Sequence, residues 1–344
     1  MSSAAIDLVE AAYDLDIEDS RWLPRLLEVG APIIDQGLGA AGIRYSRPPE
    51  GGAVEILEMH MVSGPADFLE RHQRAIATTP PDALREQARP HLAATMSENT
   101  RDSPEALEHY TSHVDYCKDL LGITAVDPNG LGVAIIAPLA EVTTLSGRSK
   151  RRWQMIAAHV SAGHRLRHGL SIQRAASATS LPYNAEAVLD PKSFELIGAE
   201  GEAKTSSGAS AVRGAAIRVD RARGRLRKGD PDKAFEIWKA LVQGRWSMVD
   251  WFDTDGRRFV LAVPNPPDVL DPRGLTEREM QVVTYAMFGH SNKMIAYHLG
   301  ISTPRVSFLL TSSMKKLGVR THAQLVKKLH DLRAVAPRNG NDRS

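Results

Sequence analysis

Apolar residues recur at helical spacing over residues 2–17, where Ile6, Val9, Ala12 and Tyr13 share a face, and helical spacing continues over residues 22–34. Residues 40–45 and 54–62 read as strands, separated by the turn-rich Pro48-Pro49-Glu50-Gly51-Gly52. The helical period returns over residues 65–77. Ser103-Pro104-Glu105 combines a capping residue, a proline suited to the first helical position and an early acid, which predicts a helix running to about residue 121. Residues 123–126 and 131–139 then form a hairpin around Asp127-Pro128-Asn129-Gly130, and residues 146–170 form a long helix that leaves this first unit.

A small-residue linker over 171–180 separates a second unit. Residues 187–199 read as two short strands about Pro191-Lys192-Ser193, residues 204–220 are rich in small residues, and residues 231–242 are helical. Residues 247–252 and 257–263 pair through Thr254-Asp255-Gly256. Pro264, Pro266, Pro267 and Pro272 then make a semi-rigid spacer. Beyond it, Thr276 and Glu279 stand at the separation of a capping box, opening a helix that ends at Gly289. A second short helix, 292–299, ends at Gly300, which is free to adopt the left-handed conformation that closes a helix, and Ser302 caps the next. Two short helices about a glycine-containing turn predict a helix-turn-helix. In the third helix, 303–317, Val306, Leu310, Met314 and Leu317 face the core, while Ser307, Phe308 and Thr311 share the opposite face. A fourth helix covers 322–332.

The order of elements in the first unit, helices and hairpins followed by a long exit helix, resembles a GAF-type sensor domain over residues 1–170. The second unit, residues 181–264, resembles a small PAS-like α+β module. Residues 274–334 are similar to the DNA-binding domain of the LuxR family. That resemblance rests on Leu275-Thr276, Arg278-Glu279, Val282, Gly289, Ser291-Asn292-Lys293, Ile295-Ala296, Leu299, Ile301-Ser302, Val306, Lys316-Leu317-Gly318-Val319 and Gln324-Leu325-Val326. It implies an all-α, four-helix domain that inserts its third helix into the major groove and uses its fourth for dimer contacts. Arg305 stands where the family usually has threonine, Ser307 where a basic residue is frequent and Leu309 where histidine is common, so the side chains offered to bases differ from the usual ones. Phe308 either touches a thymine methyl or joins Leu309 in an enlarged core. The expected architecture is therefore multidomain: an α+β GAF-like domain, a small α+β PAS-like module and the helix-turn-helix domain.

Charge supports this division. Residues 274–344 carry eleven Lys and Arg against four Asp and Glu, a formal +7, whereas the whole chain is +2 and the remainder is −5. A basic module on an acidic body points to one polyanion-binding part. The expected DNA-contacting residues are Asn292, Lys293, Thr303, Arg305, Ser307, Phe308, Thr311, Lys315, Lys316 and Arg320; Leu325, Val326 and Leu329 are expected to meet the partner in a homodimer. Met280, Tyr285, Phe288 and Tyr297 exceed what so small a core holds, and they either dock against the body or a partner or are scattered surface residues. A basic stretch, Arg218, Arg221, Arg223, Arg225, Arg227 and Lys228, either supplements DNA phosphate contacts or is a solvated face.

His109, His113 and Cys117, four residues apart on the helix expected there, are the nearest thing to a metal or haem site, with ordinary packing as the competing reading. His164 and His168 on the exit helix read as surface residues. No phosphate-binding glycine loop, HExxH, GxSxG or paired CxxC occurs, so neither catalysis nor a resident cofactor is expected. The early acids Asp14, Asp16, Glu18 and Asp19 do not sit at a strand end, so the expected input is a small-molecule ligand or partner rather than phosphorylation. One cysteine excludes an intrachain disulfide, no apolar run reaches a membrane span, and residues 1–10 lack the features of a secretory signal; a cytoplasmic protein is expected. The expected function is a DNA-binding transcription regulator. The alternatives are an interaction protein whose altered recognition helix binds a protein partner, and a promoter-recognition module of the sigma-factor type.

Overall fold

The computed structural model describes residues 3–46, 54–79, 93–101, 103–126, 130–173, 180–230, 233–234, 246–264 and 275–335. The first unit is built on a five-stranded antiparallel sheet of order β2-β1-β5-β4-β3, with β1 Ala40–Ser46, β2 Glu55–Val62, β3 Ala94–Thr95, β4 Asp119–Val126 and β5 Leu131–Leu139. Strand β5 lies at the centre, and its apolar run is buried on both faces. Leu121, Ile123, Val133 and Ile135 face a core shared with α1 Ser3–Ala12, α2 Asp19–Ile34 and the long exit helix. Ala41, Ile43, Tyr45 and Ile136 face the other way, against Phe68 and Ala75 of α3 Phe68–Thr78 and Tyr110 beyond it.

The helix predicted from Ser103 to about residue 121 is shorter. After α4 Met96–Asn99, helix α5 spans Pro104–His113 and stops at Val114 (φ −116°, ψ 71°). Asp119 explains the switch to strand. Its buried carboxylate accepts from Ser97 Oγ at 2.6 Å, Ser97 N at 3.0 Å, Thr143 N at 3.0 Å and Leu120 N at 2.8 Å. These bonds fix residues 119–120 to two other segments, which overrides the local helical tendency. Cys117 therefore lies beyond the helix that carries His109 and His113 and donates from Sγ to the Val114 carbonyl at 3.3 Å.

The exit helix, α6, spans Gly147–Gln173. Helix α1 crosses it so closely at Gly163 that a Cβ there would stand 2.2 Å from the Ala12 carbonyl oxygen. Contrary to the surface role expected of it, His164 is buried. It stacks on Trp22 with ring centroids 5.5 Å apart, while the Arg44 and Arg167 guanidinium groups each lie 5.8 Å from the Trp22 ring. His168 is half-buried.

The second unit has a four-stranded antiparallel sheet, β7-β6-β9-β8, from β6 Ala187–Leu189, β7 Leu196–Ala199, β8 Trp246–Phe252 and β9 Arg258–Pro264. The small-residue segment is helix α7 Ser206–Arg223, followed by α8 Arg225–Gly229; Val212, Ala215, Ala216, Val219 and Ala222 are its buried side. Its buried residues join those of the first unit in one continuous apolar cluster. Part of the basic stretch ties the units together. Arg223 pairs with Glu10 at 3.4 Å and Asp250 at 2.8 Å, and Arg227 with Glu10 at 3.2 Å and with Asp7. The two turn sequences 48–52 and 127–129 and the proline spacer from 265 lie outside the described residues, as do the helix expected over 231–242, apart from 233–234, and most of the linker, 174–179.

The Gly163 contact yields a stability test. Gly163→Ala should destabilise the chain by about 1–3 kcal/mol, because backbone atoms of α1 have to move. Urea unfolding reads it directly, and an unchanged midpoint would show that α1 does not approach α6 this closely.

Candidate nucleic-acid interface

Among the described residues the C-terminal unit comprises α9 Glu277–Met287, α10 Asn292–Leu299, α11 Thr303–Leu317 and α12 His322–Val335. Each start expected from the sequence is made by a side chain. Thr276 Oγ1 accepts from Glu279 N, and Glu279 Oε2 accepts from Thr276 N at 2.9 Å, a complete capping box. Ser291 caps α10 and Ser302 caps α11. Gly300 adopts φ 64° and Gly318 φ 68°, so both tight turns use the left-handed backbone that side chains disfavour.

Glu279 does more than cap. Its buried carboxylate also accepts from Ser312 Oγ at 2.5 Å and Lys316 Nζ at 2.6 Å, which binds the start of α9 to the last turns of α11. Burial alone would raise its pKa, but the bonds from Lys316, Ser312 and Thr276 outweigh that and hold it at about 2. Lys316, expected to reach phosphate, is thereby also engaged in a structural ion pair, with its side chain still partly exposed.

The exposed face of α11 carries the residues expected to read DNA. Phe308 is 61% exposed, and the Arg305 guanidinium covers its ring at 5.1 Å from the centroid. Leu309 is buried, so the enlarged-core reading holds for Leu309 and fails for Phe308. Asn292 Nδ2 donates to Ser307 Oγ at 3.1 Å, joining the first turn of α10 to the reading face. Thr311 lies one turn on, its hydroxyl donating to the Ser307 carbonyl at 2.9 Å. Lys293, Thr303, Lys315 and Arg320 are exposed around this face.

The fourth helix departs from expectation. Leu325 and Leu329 are buried, at 0% and 7% exposure, in the core of their own domain with Val282, Val283 and Val306. The domain does have apolar space for them, so of the three residues expected at a dimer contact only Val326 is partly accessible.

An apolar side of the domain, led by α10, docks on the body. Met294 and Tyr297 of α10 enter the apolar cluster of the first two units, and Phe288 packs on the cluster beneath α3 and α5. Tyr285 also contacts the body, whereas Met280 stays in its own core. His159 of α6 lies between two tyrosines: Nε2 is 2.5 Å from the Tyr297 hydroxyl and Nδ1 is 3.4 Å from that of Tyr13. Arg165 Nη1 donates to the Tyr285 hydroxyl at 3.0 Å. Tyr285 stacks on His298 with centroids 4.6 Å apart, and His290 lies 4.8 Å from His298. Burial lowers the pKa of His159 to about 3 and that of His290 to about 4; it also lowers that of His298, with His290, Arg165 and His159 adding to the effect. The buried polar side of α6 was missed in sequence. Its signal was the complete lack of acids over residues 146–170, which leaves the bases there to find partners on other elements.

Metal ligation finds no geometry in His109, His113 and Cys117. His109 Nε2 lies 3.2 Å from the Ala75 carbonyl, and burial foremost raises the Cys117 thiol to about 11, far from the thiolate a metal requires. Among the described residues, no group of three His, Cys, Asp or Glu is placed to hold a metal ion.

Two pH effects follow. His159, His290 and His298 have folded pKa values below the ordinary 6.5, so their contribution is complete above about pH 6.5 and is lost as pH falls towards the folded values. Each adds up to about 1.4 kcal/mol per pH unit to the slope of stability in that window, and His159→Phe should flatten the slope by up to one proton's worth in pH-dependent urea titrations; an unchanged slope would place His159 in water. Glu279 is the acidic counterpart: its contribution is present above about pH 4.5 and lost towards pH 2. Glu279→Gln should lower the melting temperature at pH 7 and narrow its difference from the parent as the pH approaches 2.

Comparison with known proteins bears on this unit. Two solved structures align over most of the chain at 9% identity. The crystal structure of Escherichia coli SdiA in space group P6522 has a TM-score of 0.31, covering 93% of this chain and 94% of that one. SdiA in complex with octanoyl-rac-glycerol has a TM-score of 0.27, covering 95% and 87% respectively. Similarity at this level carries no argument about the present fold. No curated protein matches the chain. Residues 273–329 match the family of bacterial regulatory proteins named luxR. With capped helices, left-handed glycine turns and an exposed third helix in that segment, the C-terminal unit is a helix-turn-helix domain of the luxR family.

Proposed function

We propose that this chain is a transcription regulator that binds double-stranded DNA through α11, with a sensor-like body modulating the luxR-family domain. The observation that carries the proposal is the division of the domain's surface. Its apolar side, with Met294 and Tyr297, is buried on the body, while Ser307, Phe308 and Thr311 remain exposed beside Lys293, Arg305, Lys315 and Arg320. An exposed reading face flanked by cations suits a groove bordered by phosphates. The GAF-like and PAS-like designations describe the body in this proposal, and its input is a small molecule or a partner. No helix among the described residues is long and apolar enough to cross a membrane, and the site of action proposed is the cytoplasm. Homodimerisation is part of the proposal, with Val326 and the exposed His322, Ala323, Gln324 and Lys327 of α12 as the contact face. Two-fold symmetry would then place half-sites about one helical turn apart.

The competing reading, in which α11 binds a protein, rests on exposed Phe308. The Arg305 guanidinium stacked on that ring favours DNA, since it sets a cation at the edge of the apolar surface.

The test is fluorescence anisotropy on operator fragments selected from random DNA, across a salt series. Lys293→Ala should weaken all sequences alike and reduce the salt slope by about one. Phe308→Ala and Thr311→Ala should relax preference at one or two positions, at about 1–3 kcal/mol per contact. Arg305→Ala should cost affinity but leave stability unchanged or slightly higher, because a base in the first helical turn opposes the helix dipole. If none of these substitutions alters DNA binding, α11 is not the reading helix.

Analytical ultracentrifugation tests assembly. The parent should sediment as a dimer on operator DNA and Val326→Glu as a monomer. A parent that stays monomeric with and without DNA excludes the α12 contact.

A further inference from the structure

Between the first turns of α6 and the starts of α10 and α11 lies a cleft of about 550 Å³, within the range of small-molecule sites. Its lining is divided by chemistry. Met155, Met294 and Tyr297 are buried and, with half-buried Ile301, form an apolar inner wall. Arg151 and Lys293 are exposed and stand at the mouth, with Lys150 half-buried beside them. No carboxylate is present among the described lining residues; Glu98, which pairs with Lys150 at 2.9 Å, lies outside the lining. Ser291 and Ser302 cap α10 and α11 from the same cleft, so the positive ends of two helix dipoles open on it. Cations at the mouth and thioether and aromatic surface within are the complement of a molecule with one anionic end and an apolar body. DNA satisfies only half of this requirement: its phosphates match the mouth, but a sugar-phosphate backbone has no apolar part for the inner wall.

We propose that this cleft binds a small amphipathic organic anion, a carboxylate or phosphate ester with an apolar body, whose charged end is held by Arg151 and Lys293. The site goes beyond DNA binding, because neither half of it is complete alone. Helix α6 brings Arg151, Gln154 and Met155, and the luxR-family domain brings Lys293, Met294, Tyr297 and Ile301. A bound anion therefore bridges the body and the DNA-binding domain, and it occupies Lys293, which the reading above assigns to a DNA phosphate. The ligand and DNA accordingly compete for that side chain.

Isothermal titration of the full chain with decanoate, below its micellar concentration, tests the site, with decanol and decyltrimethylammonium as neutral and cationic matches. One decanoate should bind per chain, at least tenfold more tightly than either match. Arg151→Glu, at an exposed position, should weaken it at least tenfold, and Gln154→Trp, which fills the cleft from a half-buried position, should abolish it; circular dichroism and thermal unfolding confirm that both variants are folded. Equal binding of the three probes, or decanoate binding that survives both substitutions, overturns the assignment whether or not the chain binds DNA. Phosphatidylglycerol vesicles separate a free solute from a lipid surface: co-sedimentation that Arg151→Glu abolishes would replace the solute by a bilayer and likewise overturn the proposal.

Discussion

The arrangement of this chain depends on a helix that is polar and yet buried. Helix α6 carries His159, His164, Arg165 and Arg167 at positions less than one-tenth exposed, and no acid of its own to neutralise them. Burial of such groups costs several kcal/mol each unless every one is kept neutral or finds a partner. The partners come from elsewhere. Trp22 comes from α2 and Tyr13 from the turn after α1, Arg167 donates to the Asp14 and Ile17 carbonyls, and Tyr285 and Tyr297 come from the DNA-binding domain more than a hundred residues away. The body supplies one half of this set and the helix-turn-helix the other, so the position of the reading head is written into the satisfaction of a single helix.

This arrangement fixes which side of the domain remains outside. While α10 is spent on α6, Ser307, Phe308 and Thr311 of α11 are left uncovered by the body. The contacts that Tyr285 and Tyr297 of the DNA-binding domain make with α6 are hydrogen bonds to tyrosine hydroxyls and ring contacts. Buried contacts of this kind are screened by salt much less than phosphate binding at the exposed face.

Much of this was legible in the residues. The capping pair Thr276–Glu279, the Ser302 cap, the glycine at 300 and the apolar runs of β1 and β5 are local signals, and each formed where the sequence placed it. The failures were all matters of distant partners. Nothing in the sequence around residue 119 reveals that its carboxylate is claimed by Ser97 and Thr143, so the helix before it was drawn too long. Leu325 and Leu329 looked surplus because the depth of the core beneath α12 is set by α9 and α11 together. The apolar excess at Tyr285, Phe288 and Tyr297 was visible, but its destination on the body was one of two readings. Among the candidate DNA contacts, the ion pair of Lys316 was hidden for a similar reason, since Glu279 lies 37 residues earlier in the chain.

The stacking of Arg305 on Phe308 has a consequence for how such a domain changes over generations. Both side chains are exposed, and neither belongs to the buried set of Val306, Leu309, Leu310 and Leu317 that anchors the helix. Neighbours in sequence are thus divided between two selective pressures: the inward residues, at helical spacing, answer to packing, and the outward ones answer to what lies outside. A lineage can replace the outward residues one at a time, passing through intermediates that all fold, and so arrive at a new target vocabulary while the scaffold stands still.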